Sequence, residues 1–200
     1  MRSHLFKPEF LKISPNNRMP AIVDHVPIDG GKAISVFESG AILLYLAGKT
    51  GKFIPKDLRG QVDVLQWVMW QMGGLGPMLG QNHHFRHYAP EKIPYGIERY
   101  TNETSRLYGV LNKRLSYRAF ITGKQYTIAD MAAYPWILPD RQGQDMADFP
   151  HLARWIEAIK ARPATARAYA KKDLVKRIPV EQMTDEQRKL LFGQDKSTVK

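Results

Sequence analysis

Two stretches near the start of this chain combine residue types suited to holding a small zwitterion. In Phe37-Glu38-Ser39-Gly40-Ala41-Ile42 a strand pattern gives way to a helical one. The unpaired N–H groups at the start of that helix, with the Ser39 hydroxyl as a further donor, suit a carboxylate. Glu38 beside them suits an ammonium group. A ligand with both groups on one carbon, an amino acid or a γ-glutamyl unit, would engage the two together. The same residues also admit a purely structural role, with Ser39 as an N-cap and Glu38 as a favourable charge near the helix dipole. The second stretch is Arg18-Met19-Pro20, just before a strand. Pro20 either begins that strand, where its missing N–H falls outside the ladder, or sits in a cis linkage, which X-Pro bonds adopt at a cost of roughly 0.5 to 1 kcal/mol. A cis bond would turn the Met19 N–H and C=O toward an incoming peptide.

Other clusters point elsewhere. Thr127-Ile128-Ala129-Asp130 has capping-box spacing, so these two polar residues read as structural caps of a helix. Gln81-Asn82-His83-His84, with His87 nearby, reads as a polar ligand-facing or interdomain loop. Adjacent histidines do not share a helix face, and no carboxylate stands at metal-site spacing, so no metal is expected. No Ser-His-Asp order, phosphate loop or dinucleotide fingerprint is present. The chain contains no cysteine. Any sulfur chemistry must therefore arrive with a ligand.

The elements that must position these residues follow from periodicity. Pro20 to Asp24 and Ala33 to Phe37 are strand-length apolar runs separated by a loop with Pro27, Gly30 and Gly31, which predicts an antiparallel hairpin. Ile42, Leu43, Tyr45 and Leu46 recur at helical spacing until Gly48 to Gly51 end the pattern. Beyond that point the chain is helical in pattern. Val62, Leu65, Met69 and Met72 mark one face of a helix expected to break or kink at Gly73 to Pro77. Ile97, Tyr100, Thr104, Leu107, Leu111 and Leu115 mark another, and Leu152, Trp155, Ile156 and Ile159 a third. Thr184 and Gln187 predict a capped amphipathic helix in the tail.

At 200 residues, 44% hydrophobic and 24% charged, the chain can bury a sizeable core. It has no apolar run of bilayer-spanning length and no secretory-type start, so a cytoplasmic protein without membrane association is expected. The formal net charge of +11 favours anionic partners. Its densest run, Lys160, Arg162, Arg167, Lys171, Lys172, Lys176 and Arg177, reads as a solvated helical face and not as a nucleic-acid site.

Three segments together carry a resemblance. Phe6 to Asp24, Phe37 to Leu46 and Gly74-Leu75-Gly76-Pro77-Met78-Leu79-Gly80-Gln81-Asn82-His83-His84-Phe85 resemble the glutathione transferase superfamily, and within it the bacterial nu-class enzymes and the related yeast nitrogen regulator. The resemblance implies a mostly α protein. Residues 1–52 would be an α/β remnant, a partial thioredoxin-like glutathione-binding domain, and 53–59 a linker. An all-α helical domain would follow at 60–172, then a tail at 173–200 with a short helix.

The resemblance also implies a homodimer that binds glutathione. The Met19 backbone beside Pro20 would pair with the cysteinyl unit, Glu38 and Ser39 would hold the γ-glutamyl end, and Arg99 would reach a glutathione carboxylate. The implied chemistry is glutathione-dependent disulfide reduction or thiol transfer, with a non-catalytic binding or regulatory module as the alternative. In the superfamily the residue that activates the glutathione thiol lies in a strand-helix-strand segment ahead of the position matched by Phe6. No residue here takes that catalytic role, and the expected thiol pKa stays near that of a free thiol, about 8.5. The hairpin's edge and apolar face are correspondingly expected to be exposed.

Overall fold

A computed structural model describes residues 5–174, 178 and 182–196. Lys176 and Arg177, at the end of the basic run, lie outside the described residues, as does the extreme start of the chain. Two compact units are present, residues 1–50 with 176–200, and residues 51–175.

In the first unit, α1 (Pro8–Leu11) is a single turn opened by Pro8 at a position where its missing N–H is harmless. A tight turn follows, in which the buried Ser14 hydroxyl donates to the Arg18 carbonyl at 2.8 Å. Strands β1 (Ala21–Asp24) and β2 (Ile34–Phe37) pair antiparallel, from Ala21 opposite Phe37 to Asp24 opposite Ile34. Among the described residues they form the only sheet, which has two strands. Helix α2 (Ser39–Thr50) packs on both strands and runs past Gly48 to stop at Gly51, whose φ of 64° suits a glycine at a helix end.

Alternation decides which side of the hairpin is covered. Ile22, Asp24, Ile34 and Val36 share the half-buried face. Val23 and Phe37 share the other face and are each 36% exposed. The hairpin's apolar surface is thus covered on one side only, as expected of a two-stranded sheet.

In the second unit, α3 (Leu58–Trp70) is capped by Asp57, whose carboxylate accepts the Gly60 N–H at 2.9 Å. The stripe marked by Val62, Leu65 and Met69 is the exposed face of this helix. Val64 and Val68 are its fully buried residues instead. Periodicity identifies a stripe without saying what lies against it.

Of the break or kink expected at Gly73 to Pro77, the break does not occur, and a π turn, a known cause of kinks, stands there. Gln71–Leu75 form a turn of π-helix that passes directly into α4 (Gly76–His83), with Pro77 in the first turn of the new helix. The wider π turn absorbs an extra residue while keeping backbone bonds made. Gly76 leaves room there for the Gln71 side chain, whose amide would stand 2.6 Å from a Cβ and would have to shift. The polar run 81–84, read as a loop, is also helical. It closes α4 and enters a second π turn, His84–Tyr88.

Helix α5 (Pro94–Leu115) buries Thr104, Leu107, Leu111 and Leu115, the face that its sequence pattern marks. Helices α6 (Ile128–Ala133), α7 (Pro139–Gln142), α8 (Pro150–Lys160) and α9 (Pro163–Ala170) complete the unit. Helix α8 starts without a side-chain cap of its own, and Asn112 on α5 accepts the His151 and Leu152 N–H groups at 2.9 and 3.0 Å. In the tail, α10 (Asp185–Phe192) carries the expected box. Gln187 N–H donates to the Thr184 hydroxyl at 3.2 Å, and Thr184 N–H to the Gln187 side chain at 3.1 Å.

Asp130 organises the second core. Its side chain is completely buried and accepts from the Ile121 N–H (2.9 Å), the Trp155 indole N–H (2.8 Å), the Thr127 N–H (2.9 Å) and the Thr127 hydroxyl (3.2 Å). Burial raises its pKa, against donors that pull it down. Sequence spacing shows the contact within the box, and the fold adds Ile121 and the equally buried Trp155. Removing the carboxylate leaves those buried donors unpaired, so Asp130→Ala should lower unfolding free energy by about 3 kcal/mol. Chemical denaturation of the two proteins would measure it, and an unchanged midpoint would contradict this role.

Candidate functional site

The hairpin register brings the candidate ligand residues together at one end of the first unit. Ala21 is opposite Phe37, so Pro20 and Glu38, the next residues outward, leave the paired strands side by side. The Met19-Pro20 bond is cis, and the Met19 residue is 64% exposed.

Glu38 has φ 70°, a left-handed conformation that a non-glycine residue rarely adopts. Its carbonyl accepts the first helical bond, from the Ile42 N–H at 2.9 Å. Ser39 is therefore the first residue of α2, and Glu38 occupies the cap position assigned to Ser39 in the structural reading. The N–H groups of Gly40 and Ala41 precede the ladder, and the positive end of a helix of 12 residues lies behind them. With the exposed Glu38 carboxylate alongside, the end of the hairpin can receive a carboxylate and an ammonium group at neighbouring points.

A second set of residues fixes α2 on the hairpin. Asp24, the last residue of β1, accepts from the Tyr45 hydroxyl at 2.7 Å, from the Lys49 ammonium and from the Val26 N–H at 3.0 Å. Lys49 also donates to the Val26 carbonyl at 2.6 Å. The Lys49 bond foremost, then those from Tyr45 and Val26, hold the Asp24 carboxyl down at about 2. Donating to that carboxylate pushes the Tyr45 hydroxyl up to about 12. These residues are distant in sequence and no local motif joins them. The four-residue spacing of Tyr45 and Lys49 is a signal that could join them, but it is hidden by Gly48, which reads as the helix end although the helix runs to Thr50.

Arg99 belongs to the second unit. It lies on the exposed side of α5, with its guanidinium 5.9 Å from the Tyr100 ring centre, beside a recess shared with Tyr95, Asn102 and Glu103. The polar run that sequence reading placed in a loop contributes to the interior of the same unit. Asn82, fully buried, donates to the Thr104 hydroxyl at 3.0 Å and the Tyr100 carbonyl at 3.1 Å. The Gln142 amide donates to His83 Nε2 at 3.1 Å and to the Trp136 carbonyl at 2.8 Å, while its oxygen accepts from the Tyr108 hydroxyl and the Leu138 N–H. Burial, with Arg141 and His87 nearby, lowers the His83 pKa to about 4. The neutral ring is the form that accepts at Nε2. Among the described residues no cluster of three His, Asp or Glu side chains could hold a metal ion. None of the described helices is long and apolar enough to cross a membrane.

A hairpin entered through a cis-proline and left through a helix N-terminus, with a separate all-helical unit, defines a thioredoxin-like half-domain of the glutathione transferase kind. Residues 2–48 match the glutathione S-transferase N-terminal domain, and residues 97–163 match its C-terminal domain. The chain is 58% identical over 170 residues to the disulfide-bond oxidoreductase YfcG of Escherichia coli, covering 84% of this chain and 79% of that one. It is 33% identical over 201 residues to the transcriptional regulator URE2 of Saccharomyces cerevisiae, covering 80% of this chain and 56% of that one. A glutathione transferase from Burkholderia graminis, solved with two glutathione molecules per subunit, superposes with a TM-score of 0.77 at 44% identity, covering 82% of this chain and 71% of that one. This chain belongs to the glutathione S-transferase superfamily.

The Asp24 bonds give a pH dependence whose sign is fixed. The folded pKa of about 2 lies below the ordinary 3.8, so the stability these bonds supply is present above pH 3.8 and lost as pH falls through 2. A carboxyl titration followed by NMR should place Asp24 near 2, and Lys49→Ala should move it up toward 3.8. An Asp24 midpoint insensitive to that substitution would show that Lys49 does not set it.

Proposed function

We propose that this chain is a cytoplasmic glutathione-binding protein whose chemistry is glutathione-dependent disulfide reduction. The observation that supports this best is the register of the hairpin, in which Ala21 opposite Phe37 brings Pro20 and Glu38 out of the strands at the same end. In this reading the Glu38 carboxylate pairs with the γ-glutamyl ammonium. The Ser39 hydroxyl and the first N–H groups of α2 receive the γ-glutamyl carboxylate. The Met19 N–H and C=O pair with the cysteinyl backbone in the manner of one more strand.

The relatives support the same reading. YfcG bears the name of a disulfide-bond oxidoreductase, and the Burkholderia protein holds glutathione. Because the chain has no cysteine, the attacking sulfur belongs to the ligand. A glutathione thiolate attacks one sulfur of a disulfide, forming a mixed disulfide and releasing the other sulfur as a thiolate that takes a proton. A second glutathione thiolate then resolves the mixed disulfide. The products are glutathione disulfide and the second substrate thiol.

We further propose that the protein works as a homodimer through α3. Leu58, Val62, Leu65 and Met69 repeat along one side of that helix and are 75%, 44%, 42% and 51% exposed. Such a stripe is the pattern of an association face.

Two measurements test these readings. Calorimetric titration with glutathione should give binding that weakens about ten-fold in Glu38→Gln, the scale of one charge-assisted hydrogen bond, and also weakens in Ser39→Ala. Equal affinity in all three proteins would remove the site from this turn. Binding without glutathione-dependent reduction of a model disulfide would assign the chain to the non-catalytic binding class. For the dimer, light scattering should show that Leu65→Lys with Met69→Lys yields a folded monomer, whereas an unchanged mass would place the interface elsewhere.

A further inference from the structure

The helical unit contains a recess of about 660 Å³ bounded by the segment after Gly51, the loop leading into α6 and the start of α9. That volume falls within the range of small-molecule sites, about 300 to 1,000 Å³. Lys52, Lys56, Lys124 and Arg162 line it, and none of the described residues lining it is Asp or Glu. Lys56, Lys124 and Arg162 clustered on one recess raise the local potential, which a bound polyanion relieves.

The recess also has an aromatic side with a defined arrangement. Tyr126 meets Phe53 edge-on at 6.1 Å and Phe120 at 5.5 Å between ring centres, and the Arg162 guanidinium lies 4.0 Å from the Tyr126 ring centre. The loop is folded on itself, because Phe120 and Gly123 exchange backbone bonds at 2.9 and 3.0 Å. Phe53 is the unusual member. Its φ is 61°, a left-handed conformation that bulky residues avoid, and it is held there as its carbonyl accepts the Ile128 N–H at 3.0 Å. Burial does not account for that placement, because Phe53 remains 44% exposed. An exposed aromatic ring fixed beside a group of cations matches the two halves of a ligand with a flat ring and several negative charges.

We infer that this recess is a second binding site, sharing no residue with the glutathione turn, for a small polyanion bearing a flat ring, of the nucleoside polyphosphate class. The ring lies against Phe53, and the phosphates meet Lys56, Lys124 and Arg162. Stacking and charge then contribute independently.

The full chain would be titrated by calorimetry with ATP, inorganic tripolyphosphate and adenosine in magnesium-free buffer. ATP is expected to bind more tightly than either fragment. Lys124→Gln, at an exposed loop position, is expected to weaken ATP by about five-fold. Phe53→Leu should bring ATP down to the affinity of tripolyphosphate. Lys171→Gln with Lys172→Gln, on the exposed basic run, should leave ATP binding unchanged. The inference is overturned if ATP shows no binding at millimolar concentration or if tripolyphosphate binds the unaltered chain as well as ATP does. An equal loss in the Lys171 and Lys172 variant would also overturn it, since net charge would then suffice.

Discussion

The candidate site depends on a register. Side chains in a strand alternate with a period of two, so a slip of one residue between β1 and β2 would invert every face at once. With Ala21 opposite Phe37, Asp24 faces α2, and Pro20 and Glu38 emerge as neighbours. A slip would turn Asp24 away from Tyr45 and Lys49 and carry Glu38 past the proline. The loop between the strands carries part of this specification: Gly31 N–H donates to the Asp29 carboxylate at 3.0 Å, and Gly30 N–H to the Pro27 carbonyl at 3.0 Å. Asp24 carries the rest, because its two side-chain donors are reachable on one face of the strand only.

The two units are held by different physics. The helical unit has a core of large apolar side chains at full burial, and the Asp130 carboxylate within it ties the loop at Ile121, the start of α6 and Trp155 on α8. Burying that charge is tolerable because four donors surround it. The first unit buries Ile42 and Ala47 among its apolar residues while Val23, Val26, Ile28 and Phe37 stay exposed. It relies more on polar fixings: Ser14 to Arg18, and the bonds to Asp24. Such bonds are directional and place the Glu38-Ser39 turn closely, but they supply little of the nondirectional stabilisation that a packed interior gives.

What was legible in the sequence was local or periodic. The hairpin, the strand-to-helix turn at Glu38, the box at Thr127 and the one at Thr184 are each written within a few residues, and all are present. The buried face of α5 was legible because its apolar positions persist over 22 residues. The α3 stripe was equally visible, but hydropathy does not distinguish a face that packs inside the chain from one left for another surface. The glycines at 73 and 74 suggest a break or a kink, and a π turn can accommodate them with the backbone bonds kept. The run from Gln81 to His84 was read as a loop because its residues are polar. Polarity there marks a buried hydrogen-bond network, and its partners, Thr104 and Gln142, are too distant in sequence to be anticipated.

Glu38 links local conformation to the proposed chemistry. A residue with glycine-like dihedrals that is not glycine keeps its side chain at a cost of order 1 to 3 kcal/mol. Glycine would take φ 70° without that cost. The glutamate therefore makes sense if its carboxylate is needed at this place, next to the N–H groups that open α2. A left-handed turn also reverses the chain sharply enough for the strand's end and the helix's start to be presented together. The strain and the charge belong to one arrangement: the backbone conformation creates the two neighbouring points of opposite polarity, and the side chain supplies one of them.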